Sequence, residues 1–420
     1  MKNLTLSFLE RILPRAASAL VMVLLAAYLS PEIVGVYALG TLAIFLLQAA
    51  SDNPMRQMAV KVLRTTGGML FMRRYVIIVS ALGTTLFLLF VIALVFLLPS
   101  GLADDALLLL PLAFVPSLAA IRMKNVAQLQ LRGLWPELAR GQMWAALLSL
   151  AVSVPVLVGT KSILASSLQI VLTEAIYSWY VRRAASHSRV KSEDSQANGT
   201  LFSEFRHVAA YSLLGWGQSQ ADKGLLSIFA GPAVFGMYSF AQSIARSAGD
   251  SLSTASANVL RPVVLGGSHT IREVRKLAEP VIQRGVLLSA CAGLATVLAA
   301  EYLLRNILSE EWGPALDAVR IMTIGVVPTM VGWSLTVLLL ALGRVKWASP
   351  IKFLGVLAAV PIAFSAIYSL ELAAWLVVAR EALVMMLLLG VAPTVLGRRT
   401  LVYILIAFSL LAGVALTFGR

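Results

Sequence analysis

Mostly apolar runs of about 18 or more residues recur from Phe8 to the C-terminus, long enough to cross a bilayer core as helices. No strand-like alternation competes with them, and a spanning helix satisfies its own backbone hydrogen bonds without water. The pattern predicts thirteen helices, over 8–29, 33–57, 75–98, 106–130, 140–158, 162–181, 207–229, 233–260, 280–304, 314–342, 349–368, 371–395 and 401–418. Glycine and proline mark many of the joints, as at Ser30-Pro31, Pro99-Ser100-Gly101, Gly231-Pro232 and Gly313-Pro314.

Polar residues between the runs set an orientation. One set of loops and helix ends carries Lys61, Arg64, Arg73, Arg74, Arg132, Arg140, Arg182, Arg183, Arg206, Arg272, Arg275, Arg344 and Arg398 among others. The opposite set carries only Lys161 and Arg305, with acids such as Glu32, Asp104, Asp105, Glu310 and Glu371. Basic loops stay in the cytoplasm, so the N-terminus is expected there. The longest polar segment, 182–206, reads as a cytoplasmic linker between an N-terminal six-helix lobe over 1–181 and a C-terminal one over 207–395. Residues 396–420 would add one more transmembrane helix.

Composition agrees with a membrane protein: 59% of residues are hydrophobic and 13% charged, against roughly 25% charged in a soluble domain. The net charge of +14 sits in alternate loops, where it reports topology rather than nucleic-acid binding. A single cysteine, Cys291, excludes an intrachain disulfide. His187, His207 and His269 fall in connections or at a helix end, so neither a metal site nor a histidine relay is expected. No cofactor is expected either. No small-residue cleavage site is clear after Leu29, so the first apolar run is read as a retained helix. No loop could fold as a catalytic domain, and any activity must lie within or between the helices.

The chain also echoes itself. Pro31-Glu-Ile-Val-Gly35-Val-Tyr37 returns as Pro232-Ala-Val-Phe-Gly236-Met-Tyr238, an offset of 201 residues. Arg132-Gly-Leu-Trp135 returns as Arg344-Val-Lys-Trp347, an offset of 212. Six helices per half is an even number, so the two repeats share one orientation, an arrangement that suits alternating access.

With these echoes, the Gln218-Ser-Gln-Ala-Asp222 opening of the second half, the Glu311-Trp-Gly-Pro-Ala-Leu-Asp317 entry to the tenth helix and the Leu340-Ala-Leu-Gly-Arg344 exit from it, the chain resembles the polysaccharide flippases of the multidrug/oligosaccharidyl-lipid/polysaccharide (MOP) exporter superfamily. The resemblance covers essentially 1–400. It implies a transporter rather than an enzyme. It further implies a bacterial inner-membrane protein that flips an undecaprenyl-pyrophosphate-linked oligosaccharide to the outer leaflet, for surface or exopolysaccharide assembly. The implied partners are that lipid-linked oligosaccharide and membrane lipids, not nucleic acid. A proton or sodium ion and the polysaccharide polymerase machinery remain open.

Ionisable groups inside spans are costly and usually face a partner or a wet cavity. The eighth helix carries Ser239, Gln242, Arg246 and Asp250, and the last three, spaced by four, share one face. Arg246 lies thirteen residues past Ala233, roughly 20 Å along the axis and near the midplane. Two readings stand there: a bidentate grip on a pyrophosphate, or an intrahelical pair with Asp250 that stabilises the bundle. Arg11 and Arg15 in the first helix, and Asp52 and Arg56 in the second, lie toward the cytoplasmic side. Arg15 is the deepest arginine there, while snorkelling explains Arg11 and Arg56 equally well. Snorkelling is also the reading for Arg122 and Lys124. Asp222, Asp250, Asp52, Glu174 and Glu381, with the polar Gln218 and Gln242, are candidates for ion coupling or for lining a cavity. Asp222 and its neighbour Lys223 can largely self-neutralise, and an adjacent base, as Arg380 is to Glu381, opposes a raised carboxyl pKa. Trp135, Trp179, Trp312 and Trp347 at helix ends read as interfacial anchors.

The leading reading is a flippase, because more arginine than acid in a cavity suits pyrophosphate. A cation-coupled multidrug exporter of the same superfamily is the alternative. A peptidoglycan-precursor flippase would be expected to have more helices, and a non-transporting scaffold would not need charges at the midplane.

Overall fold

The computed structural model describes residues 16–65, 67–186, 201–265, 271–342, 347–391 and 395–418. Arg11, Arg15, Arg344, Lys346, His187, His269 and most of the predicted linker lie outside them. Among the described residues every one of the thirteen predicted helices is present.

In the first half these are α1 (Ala16–Tyr28), α2 (Pro31–Ala50), α3 (Asp52–Arg64), α4 (Gly68–Leu97), α5 (Ser100–Leu107), α6 (Val115–Leu131), α7 (Trp135–Thr160) and α8 (Leu164–Ser186). The second half begins with α9 (Leu201–Phe229), α10 (Pro232–Leu265) and α11 (Ile271–Leu298), which continues through a π-helical turn into α12 (Arg305–Ile307). It ends with α13 (Gly313–Ile324), α14 (Val326–Ala341), α15 (Ala348–Leu357), α16 (Ala359–Tyr368), α17 (Leu370–Val391) and α18 (Arg398–Thr417). Both ends of the predicted linker are helical, since α8 runs to Ser186 and α9 starts at Leu201.

Several predicted helices are broken. The second splits at Ser51, whose hydroxyl donates back to the Leu47 carbonyl (2.7 Å) just before Asp52-Asn53-Pro54 opens α3. This competition with the backbone, followed by a proline near a helix start, ends one helix and begins another. Asp52 thereby becomes a first-turn carboxylate, where the helix dipole favours it. The tenth helix bends by 41° between α13 and α14, at Gly325.

Among the described residues, eight helical stretches are long and apolar enough to cross a membrane, or nine with the bent α13–α14 pair. The helices α8, α9 and α10 are long enough but more polar, and they carry much of the intramembrane chemistry. The protein is a multi-pass membrane protein.

The chain divides into two compact units, one built on Glu32–Gln220 and the other on Ser18–Pro31 with Ala221–Arg420. In the first, α6 packs against α3, α4 and α8, and α7 lies along α8. Met55, Met58, Val62, Met72 and Met123 fill its core. In the second, α10 packs against α11, α13 and α14, while α17 crosses α13 and α14. Helix α18 lies along α11, with Gln283 donating to Thr400 at 2.9 Å and a Leu411 methyl 2.8 Å from where a Cβ on Gly293 would stand.

The two copies of the Pro-(x)3-Gly-x-Tyr echo begin α2 and α10, each at the first helical position. Pro is preorganised there. The glycine and tyrosine are buried in both copies. The second echo lies partly outside the described residues.

Candidate functional site

Each unit contains a buried ionic cluster. In the first, Arg122 of α6 is 4% exposed and pairs with Glu174 of α8. Its guanidinium also lies 3.7 Å from Asp52, which is the same distance from Arg56 one turn along α3. The Arg122 guanidinium sits 5.4 Å from the Tyr177 ring centroid, within cation–π range. Snorkelling of Arg122 is therefore not what occurs: the side chain turns inward because two buried carboxylates compensate its desolvation better than a distant headgroup.

In the second unit Asp222 of α9 is fully buried. Its carboxylate accepts from the Tyr238 hydroxyl (2.7 Å), Gln242 (3.1 Å) and Arg380 of α17 (3.3 Å), and from the Lys223 backbone N–H (2.9 Å). The basic side chain that salt-bridges Asp222 is Arg380 of α17, rather than the expected sequence neighbour Lys223. Arg380 also meets Glu381 at 3.0 Å, and Glu381 accepts from Arg246 at 3.1 Å. Arg246 lies 3.9 Å from Asp250, so the intrahelical pair exists but is the longer of its two acidic contacts. The resulting chain runs Asp222–Arg380–Glu381–Arg246–Asp250, joining α9, α10 and α17. Gln218, one turn before Asp222, is half-buried.

Arg246 differs from Arg380 in access. Its side chain is 16% exposed, against 1% for Arg380, and that of Asp250 is 38% exposed. Arg246, Asp250, Glu381 and Gln242 line a narrow cleft with Gly325 and Thr329 at the α13–α14 bend. Gly249 lets α10 approach Val326 there, where an added Cβ would stand 2.6 Å from a Val326 methyl. The arginine thus faces a bent helix joint.

The two clusters correspond. Glu174 and Glu381 stand 207 residues apart in the sixth and twelfth predicted helices. Each salt-bridges an arginine of another helix, and each cluster includes an Arg–Asp pair spaced by four. Among the described residues neither cluster has more arginine than acid: the first has Arg56 and Arg122 for Asp52 and Glu174, and the chain in the second has Arg246 and Arg380 for three acids, while Arg11 and Arg15 lie outside them. Buried arginines in low dielectric are held only by such compensation.

A third network was not foreseen. Arg320 of α13 pairs with Glu301 (3.3 Å) and Asp317 and donates to the Phe418 carbonyl at the end of α18, while Arg305 bridges the same two acids at 3.5 and 3.0 Å. An arginine inside the tenth apolar run was its sequence signal. Trp312 is also a correction: it is fully buried, its ring 5.0 Å from Phe240, rather than an interfacial anchor. Trp135, Trp179 and Trp347 are exposed.

Comparison with known families and structures gives these clusters a context. A family model described as polysaccharide biosynthesis protein matches residues 24–317. The chain belongs to that family. No curated protein matches this chain at a significant level. Among solved structures, an inward-facing multidrug resistance MATE family transporter of the MOP superfamily superposes with a TM-score of 0.65 at 11% identity, over 97% of this chain and 98% of the other. The lipid II flippase MurJ, in an inward closed conformation, gives 0.61 at 13% identity over 99% and 97%. A MOP superfamily transporter from Pyrococcus furiosus, whose binding pocket is described as having reverse polarity, gives 0.52 at 14% over 100% and 96%. This polysaccharide biosynthesis protein therefore has the MOP transporter fold, with a twelve-helix core and an additional C-terminal helix, α18.

Proposed function

We propose that this protein flips an undecaprenyl-pyrophosphate-linked oligosaccharide from the cytoplasmic to the outer leaflet of a bacterial inner membrane, by alternating access, during surface or exopolysaccharide assembly. The observation that carries the reading is Arg246: a guanidinium open to a cleft, on a transporter fold, in a polysaccharide biosynthesis family. A pyrophosphate can replace Glu381 and Asp250 as the acceptor of its parallel N–H bonds, and Arg380 remains to hold Glu381 when Arg246 turns away. The charge balance of the cluster makes this an exchange of one anion for another. Arg11, Arg15 and Arg56 are proposed to take the headgroup at the cytoplasmic entrance.

Loss of the gene is expected to leave the lipid-linked oligosaccharide in the cytoplasmic leaflet, read by extraction and leaflet-selective labelling. Arg246→Ala is expected to reproduce that accumulation at unchanged protein level, and normal export in this variant would overturn the assignment. The multidrug-exporter reading draws on the carboxylates Asp222, Asp250, Glu381, Asp52 and Glu174, which are also the candidates for proton or sodium coupling. Each acid in the two clusters has an arginine neighbour, and an organic cation would have to displace it. Altered drug resistance with normal glycolipids in the deletion strain would favour that reading instead.

A further inference from the structure

A second cavity lies wholly within the first unit, bordering its ionic cluster at Ser51 and Tyr75, and has a volume of about 530 Å³. That is the size of small-molecule sites, roughly 300–1,000 Å³. One of its walls is a single face of α4: Phe71, Arg74, Tyr75, Ile78, Leu82 and Leu86 recur at three- and four-residue steps. From Phe71 to Leu86 the stripe is roughly 22 Å long at 1.5 Å per residue. It has one charge, Arg74, near its N-terminal end, and every α4 residue beyond Tyr75 on this face is apolar or glycine.

The start of α9 forms a roof. Phe205 sets its ring edge-on to Phe71 (6.3 Å) and Tyr75 (6.0 Å), and Phe202 completes the lining. Lys61 of α3 donates to both Glu204 oxygens at 2.8 and 2.6 Å, an exposed pair that links α3 to the roof. At the other end Gly83 admits Pro116 against α4, where an added Cβ would stand 2.7 Å from it, and Thr84 donates to the Ala113 carbonyl at 2.9 Å. The cavity is thus a built slot, guanidinium first and apolar behind.

We infer that this slot holds part of the isoprenoid chain of a polyprenyl phosphate, with Arg74 on its phosphate. The inference rests on the flippase reading and adds to it a place for the lipid part of the substrate. The order of polarity matches an amphiphile with one anionic end. Phe71, Tyr75, Phe202 and Phe205 offer ring faces and edges to a methyl-branched, unsaturated chain through close dispersion contact. A chain held here stays in an apolar setting while its headgroup moves.

The test uses the full-length protein in nanodiscs of phosphatidylethanolamine, with a polyprenyl monophosphate bearing a diazirine in its chain. Photolabelling is expected on the α4 peptide spanning Ile78–Leu86, and unlabelled polyprenyl phosphate is expected to compete with it while excess phosphatidylglycerol does not. Leu82→Trp, which fills the slot, is expected to lower labelling at least tenfold, and Arg74→Gln at least threefold, with unchanged melting profiles. Should Leu82→Trp fail to fold, Ile78→Trp replaces it at the same slot. Labelling elsewhere, equal competition by phosphatidylglycerol, or labelling unmoved by Arg74→Gln would each overturn the proposal. Failed labelling with normal leaflet transport would remove the slot alone. Specific labelling in a protein whose deletion leaves glycolipids normal would remove the flippase reading and keep the lipid site.

Discussion

Arg122 is held by two acids, Glu174 and Asp52, from two other helices, and its side chain has almost no access to the surroundings. Replacing it with leucine leaves both carboxylates buried beside a hydrocarbon, a loss of about 3–5 kcal/mol for a broken buried pair. Arg122→Leu is therefore expected to lower the melting temperature in detergent sharply. Arg122→Leu with Glu174→Leu is expected to recover part of that loss, because no unpaired Glu174 carboxylate is then left and Asp52 keeps Arg56. An unchanged melting curve for the single variant would mean that water reaches the cluster. Arg246, at the open cleft, contrasts with this, and its replacement is expected to affect transport more than stability. The residues of both clusters were legible as charges inside apolar runs, and the four-residue steps correctly placed Gln242, Arg246 and Asp250 on one face. Their partners were not legible, since Arg122–Glu174 and Asp222–Arg380 join helices distant in sequence. Asp222 and Arg380 are 158 positions apart, and no local spacing encodes that pairing.

At the scale of elements, helix existence followed from apolar run length, whereas breaks followed from local chemistry that run length ignores. Ser51 and Pro54 interrupt an apolar stretch without lowering its hydropathy much, and Gly325 permits the α13–α14 bend while remaining apolar. The joint between α3 and α4 is tighter still. Gly67 has φ 78°, and an added Cβ at Gly68 would lie 1.7 Å from the Val62 carbonyl oxygen, which is backbone and cannot turn aside. Gly68→Ala is expected to cost about 1–3 kcal/mol as an overpacked site, read as a lower melting temperature. Gly101→Ala, which meets open space at the start of α5, is the matched control and is expected to melt as wild type. Equal stability of the two variants would show that the α3–α4 joint relaxes freely.

For the whole molecule, the decisive quantity is parity. The parallel-repeat reading requires six crossings per half, and the echo of α2 in α10 has meaning only if both begin on the same side. Loop charge predicts that the α6–α7 turn is cytoplasmic and that the turns before α5 and before α13 are outside. The more polar α8, α9 and α10 are the crossings on which this count depends, because hydropathy alone does not identify them. Single cysteines at Leu134, Ser100 and Ser309, in a Cys291→Ser background, report it directly with a membrane-impermeant maleimide. Intact right-side-out cells are expected to label Ser100→Cys and Ser309→Cys but not Leu134→Cys, and permeabilised cells to label all three. Between Leu134 and Ser309 lie five crossings, α7, α8, α9, α10 and α11, so the two positions must fall on opposite sides. Labelling of both from the same side would mean that one of the polar helices does not cross, and the like-oriented repeats would fall with it.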